Sequence, residues 1–267
     1  MSAVSRRSSR LAAVLVAALA AGSSNGCGDK APERAPEPAG PLAGTPPALE
    51  EGVAVAIVYD TSGSMAETTK TAAGGVAAKY TVANKALAAI VDRLEAWAKG
   101  AAPGVPRRVD AGLFVFDGDG ARVAVPMGPL DATALRSFMA GFSHPDGATP
   151  LGETVVLAGD ATLRSPLTRK HVLVVTDGES NRGVAPAAAL GAVRRHAEAW
   201  KTSVSSHFIA FDVNAAVFAP VKAEGATLLA ASNEAQLNEQ LTFLLEKKIL
   251  LEEEEPPART TGPGTGK

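Results

Sequence analysis

The sequence predicts a doubly wound α/β fold, a mostly parallel central sheet of about six strands with one antiparallel edge strand and helices on both faces. Three observations carry this. The runs Val53–Tyr59 and His171–Thr176 are apolar and β-branched without alternation, as in strands buried on both faces of a parallel sheet. Segments of helical period alternate with such strands along the chain. A four-residue link, Asp117-Gly118-Asp119-Gly120, separates two strand-like runs, and so short a connection joins only antiparallel neighbours. Apolar residues at 46% supply a core, while aromatics at only 4% and heavy Ala/Gly usage point to close helix-on-sheet packing.

The chain opens on Arg6, Arg7 and Arg10, then the apolar stretch Leu11 to Gly22, then Ser23-Ser24-Asn25-Gly26-Cys27. A basic region, a short apolar region and small residues describe an export signal. The stretch falls short of the roughly 20 residues that span a bilayer. With Cys27 where it stands, the segment resembles a bacterial lipoprotein signal, although Ser24 and Asn25 depart from the usual Leu-Ala/Ser. The resemblance implies lipidation of Cys27 and a domain anchored to the periplasmic or cell-surface face of a membrane. Simple cleavage and an uncleaved segment are the alternatives. Residues 1–27 are thus read as signal, and 28–50, with Pro32, Pro36, Pro38, Pro41, Pro46 and Pro47, as an extended tether.

The folded domain is placed at 51–251. Its first strand, Val53–Tyr59, precedes a helix over Lys79–Lys99, whose Leu87, Ile90, Val91, Leu94, Trp97 and Ala98 form one buried stripe. Strands follow at Val109–Phe116 and Ala121–Val125, joined by the Asp-Gly link, which is read as a hairpin turn rather than a calcium loop. A short helix over Asp131–Ala140 comes next. Then Thr149-Pro150 opens a helix to about Leu163, Thr as its cap and Pro in its first position. The strand His171–Thr176, a helix over Pro186–Trp200, strands at Val204–Phe211 and Ala226–Ala230, and a helix over Glu234–Leu251 complete the domain. Residues 252–267 read as a disordered tail.

The chemistry concentrates at strand ends. Asp60-Thr61-Ser62-Gly63-Ser64-Met65 follows the first strand, and Asp60, Ser62 and Ser64 stand two residues apart, so in extended chain they face one point. Three hard oxygen donors there suit a hard divalent cation such as Mg²⁺ better than Zn²⁺. Alone, the hexapeptide reads equally well as a strand end and helix cap. Following the direction of each element, however, brings Asp60, Thr149 and Asp177 to the same edge, the carboxyl ends of the strands, where open α/β sheets bind ligands.

Asp60-x-Ser62-x-Ser64, Thr149 before a helix and Asp177-Gly178 after an apolar strand together resemble the von Willebrand factor type A domain and its metal-ion-dependent adhesion site. The likeness runs over about residues 52–250. It implies that Ser62, Ser64 and Thr149 hold Mg²⁺ through hydroxyls, directly or through water, with Asp60 and Asp177 acting directly or through bridging water. Mn²⁺ and Ca²⁺ remain open. It implies too that a partner protein's Asp or Glu carboxylate completes the coordination shell. Met65, Glu67, His144, Glu179 and Asn181 flank the site on loops within reach of such a partner.

A net charge of −2 gives no basic footprint for nucleic acid, and a single cysteine excludes an intramolecular disulfide framework. Within 51–251 no Gly-x-Ser-x-Gly elbow, phosphate-binding loop or His-Glu-x-x-His is present, and His144, His171, His196 and His207 are scattered. The expectation is therefore a non-enzymatic, metal-dependent protein-binding module on a bacterial envelope. The alternatives are a metal-dependent hydrolase and a scaffold whose cation is purely structural.

Overall fold

Two neighbouring parallel strands end side by side at one rim, and the rest of the fold holds them there. A computed structural model describes residues 40–100, 107–117, 120–178 and 180–250. Cys27, the export signal, most of the tether and the tail lie outside the described residues, as do Gly118, Asp119, Glu179 and Leu251.

The central sheet has six strands: β1 (Glu50–Tyr59), β4 (Val109–Asp117), β5 (Gly120–Pro129), β6 (Leu167–Thr176), β7 (Ser205–Phe211) and β8 (Thr227–Ala231). Their order is β5-β4-β1-β6-β7-β8, parallel throughout except that β5 runs antiparallel to β4. This is the doubly wound arrangement with one antiparallel edge that the sequence predicts. β1 is buried from Val53 through Tyr59. Its Val53, Val55, Ile57 and Tyr59 enter one core, with helices α1 (Lys79–Ala98), α2 (Ala132–Gly141) and α6 (Glu234–Leu244). Ala56 and Val58 enter the other, with α3 (Leu151–Arg164), α4 (Pro186–Ala199) and α5 (Ala219–Ala223). Because β-strand side chains alternate between faces, one unbroken apolar run feeds both layers.

Several boundaries differ from the sequence reading. A two-stranded hairpin, β2 (Thr68–Lys70) with β3 (Val76–Ala78), stands between the first loop and α1. Its strands are short and rich in Thr and Ala, so they carry no apolar periodicity. β6 begins at Leu167 rather than His171, its first half disguised by Thr168, Arg169 and Lys170. β5 runs to Pro129, well beyond Val125. Thr149 does not cap α3, because Pro150 holds the cap position and Leu151 is the first helical residue. The final helix is α-helical only to Leu244 and closes in a π-helical turn over Leu245–Ile249.

Elsewhere the local signals act as expected. Asp131 caps α2 by accepting from the Ala134 N–H at 2.8 Å, and Asn233 caps α6 through the Gln236 N–H at 3.0 Å. Helix α1 has no side-chain cap. The base of the hairpin substitutes for it, the Lys79 N–H donating to the Glu67 carbonyl at 2.8 Å.

Candidate functional site

The chain passes from β1 to α1 on one face and from β6 to α4 on the other, so neighbouring β1 and β6 flank the switch point at which open α/β sheets bind ligands. Register places Tyr59 opposite Val175, and the Asp60 N–H donates to the Val175 carbonyl at 3.0 Å. The loops after β1 and β6 therefore leave side by side. The third loop is stitched to the first by Asp146 N–H to the Thr61 carbonyl (3.0 Å) and Gly63 N–H to the Gly147 carbonyl (3.3 Å). It is tied to the loop after β6 by Thr149, whose N–H donates to Asn181 Oδ1 (2.8 Å) and whose carbonyl accepts from Ser180 Oγ (3.1 Å).

These ties bring the five predicted residues together. Asp60 Oδ1 accepts from the Ser62 N–H (2.9 Å) and from Ser62 Oγ (2.5 Å), while Oδ2 accepts from Thr176 Oγ1 (2.6 Å). Ser64 Oγ donates to Asp177 Oδ1 at 2.7 Å and stands 3.0 Å from Ser62 Oγ. Thr149 joins across Gly178, where an added Cβ would lie 3.6 Å from Ser64 Oγ and 4.0 Å from Thr149 Oγ1. Asp60, Ser62, Thr149 and Asp177 are all buried.

Ser62 Oγ lies within hydrogen-bond distance of Asp60 and Ser64 Oγ of Asp177, and the two hydroxyl oxygens stand 3.0 Å apart, either able to donate to the other. On either side stands a buried carboxylate. Burial, and secondarily the Asp177 charge, pushes Asp60 up to about 6 despite the bonds from Ser62 and Thr176. An all-oxygen set with two carboxylates and neighbouring hydroxyls fits a hard divalent cation and offers nothing soft to favour zinc. Among the described residues no cluster of three or more His, Cys, Asp or Glu exists, so hydroxyls have to complete any such shell.

The sequence does not reveal Lys79. Its ammonium is buried and bonds Asp177 Oδ2 at 3.0 Å and Glu67 Oε2 at 2.9 Å. Burial opposes its charge, but the bonds to Glu67 and Asp177 outweigh that and raise it above the ordinary lysine value. Thr176, the other addition, also escapes sequence inspection, because it reaches Asp60 only through strand pairing.

The expected flanking residues divide. Met65 is a fully buried core residue, since the 3-10 turn over Gly63–Ala66 folds it inward, and it is unavailable to a partner. Glu67 is exposed and paired with Lys79, Asn181 serves the Thr149 loop, and His144 is exposed beside Ser143 Oγ. Glu179 lies outside the described residues. The other histidines are remote from the rim: His196 pairs with Asp160 between α3 and α4, and His171 stacks on His207 in the core.

No family model and no curated protein matches this sequence. Solved structures do match. The PilB minor pilin of Streptococcus sanguinis superposes with a TM-score of 0.55 at 14% identity, over 77% of this chain and 62% of that one. The same fold is found in solved vWF and VWA domains. The vWF domain of the type V pili tip protein Mfa5 from Porphyromonas gingivalis matches at a TM-score of 0.53 and 12% identity, over 76% of this chain and 96% of that one. The VWA domain of SpRpn10 matches at 0.51 and 14%, over 71% and 93%. At these identities the likeness concerns the fold, and the chain spans 62% of the pilin's length.

Proposed function

We propose that this domain is a protein-binding module that recognises an acidic side chain through a divalent cation held by Asp60, Ser62, Ser64, Thr149 and Asp177. One observation carries the reading: two hydroxyl oxygens 3.0 Å apart, each hydrogen-bonded to a different buried aspartate, form one continuous cluster of hard oxygen donors. The bound cation would supply Lewis acidity toward an incoming carboxylate. The chain's own residues set its limits, because neutral hydroxyls form most of the donor set and leave the ion under-neutralised. Mg²⁺ is the resident ion on this reading, with Mn²⁺ and Ca²⁺ as the substitutes.

Envelope exposure is part of the same proposal. Its support is the export signal ending at Cys27 and the recurrence of this fold in a pilin and a pilus-tip protein. Among the described residues no helix is long and apolar enough to cross a membrane.

The test is capture of partners from envelope extract by purified wild type, Asp60→Ala and wild type in EDTA, with folding checked by circular dichroism. Capture by wild type alone is expected. Equal capture in all three arms rejects metal-dependent recognition. Loss of thermal stability in EDTA with unchanged capture would instead assign the cation a structural role.

A further inference from the structure

Lys79 occupies a place that simple energetics disfavours. It is the first residue of α1, where the helix dipole repels a cation, and its side chain is only 5% exposed. Two carboxylates hold it there, one of which is the candidate ligand Asp177. The two oxygens of Asp177 are divided: Oδ1 faces Ser64 and the hydroxyl cluster, and Oδ2 faces the ammonium. Asp177 can therefore offer Oδ1 to a metal ion without giving up Lys79.

We infer that Lys79 is a fixed counter-cation that tunes this centre, weakening its grip on the metal while sharpening its attraction for an acidic partner. This rests on the metal-dependent reading above. Beside a divalent ion that hydroxyls leave under-neutralised, the Lys79 ammonium adds a positive charge on the far side of Asp177. Glu67 pairs with the same ammonium at 2.9 Å from the solvent side, its side chain 69% exposed, and offsets part of that charge. An aspartate already shared with an ammonium is also a weaker donor, so the ion keeps more of its charge for the carboxylate that arrives. Lys79 is a positioning residue here, acting on the ion through Asp177.

The experiment titrates Mn²⁺ into wild type, Lys79→Met, Lys79→Gln, Lys79→Arg and Asp60→Ala, following free Mn²⁺ by electron paramagnetic resonance. A second readout is relaxation of acetate methyl protons by protein-bound Mn²⁺. Lys79→Met should bind Mn²⁺ roughly tenfold tighter than wild type, as expected from removing a cation a few ångströms from the ion. At saturating Mn²⁺ it should draw acetate less strongly. Lys79→Arg should behave as wild type. Lys79→Gln keeps a donor to Asp177 without the charge, so it should follow Lys79→Met, and it decides the matter if Lys79→Met does not fold. Unchanged or weaker Mn²⁺ affinity in the neutral variants overturns the inference while the metal reading stands. Equal Mn²⁺ binding by Asp60→Ala and wild type overturns the metal reading itself.

Discussion

Ser64 carries the connection between the two strand-end carboxylates, since its hydroxyl donates to Asp177 and approaches Ser62. Ser64→Ala removes a proposed ligand and that link but leaves the buried Asp60 and its own donors in place. Calorimetric titration with Mg²⁺ should show at least a tenfold loss of affinity, with the melting temperature shifted by only a few degrees. Thr176→Val tests the opposite balance. It removes the donor to Asp60 Oδ2 inside the protein, and leaving a buried carboxylate short of a partner costs about 1–3 kcal/mol. Urea unfolding of the metal-free protein should show that loss, and added Mg²⁺ should recover part of it. The contrast also marks where sequence reading stops. Asp60, Ser62 and Ser64 announce themselves by spacing, whereas Lys79 and Thr176 look like an ordinary helix start and strand end until the sheet sets them against carboxylates.

At the level of elements, α3 positions Thr149 and is itself pressed against α4 and the segment leading into it. Two glycines permit that closeness. A Cβ at Gly152 would come within 1.9 Å of the Val184 carbonyl oxygen, and one at Gly159 within 2.5 Å of a Val193 methyl. Gly152→Ala meets backbone and must displace the helix, so it should destabilise by about 1–3 kcal/mol. Gly159→Ala meets a side chain and should cost less. Because α3 carries the Thr149 loop on its N-terminus, Gly152→Ala should also weaken Mg²⁺ binding in the folded fraction, read by calorimetry beside chemical unfolding. Helices and buried strands were legible because their apolar periods are set by burial, as in Leu87, Ile90, Val91 and Leu94 of the α1 stripe, all buried. The β2–β3 hairpin was not, since it is held by local backbone bonds and by Glu67 and Lys79 rather than by an apolar face. The cap of α3 was misplaced by one residue because Thr before Pro is a common helix start, and here the loop bonds to Asn181 and Ser180 take Thr149 instead.

For the molecule as a whole, chain direction alone gathered the candidate site, since each strand of the parallel set delivers its following loop to the same rim. Sequence could not show what lies deep between β6 and β7, where strand pairing sets His171 and His207 in contact. Nδ1 of His171 lies 3.2 Å from Nε2 of His207, so one neutral ring donates to the other. Burial drives both far below the ordinary 6.5. His171 falls to about 3, helped by His207 and Arg169, and His207 to about 4, helped by Lys248. A histidine depressed in the native state adds stability that is present above its unfolded value. As pH falls below about 6.5 the unfolded chain takes up protons that the native protein refuses, and that stability is lost down to about pH 4. Asp60 acts in the opposite sense, because its carboxyl titrates near 6 in the metal-free native protein and lower once unfolded. Wild type and His207→Leu should therefore be compared in the same metal state, so that the Asp60 contribution cancels. Urea midpoints measured from pH 7.5 to 4.5 should fall less steeply in His207→Leu than in wild type, and parallel curves would assign the acid sensitivity to other groups.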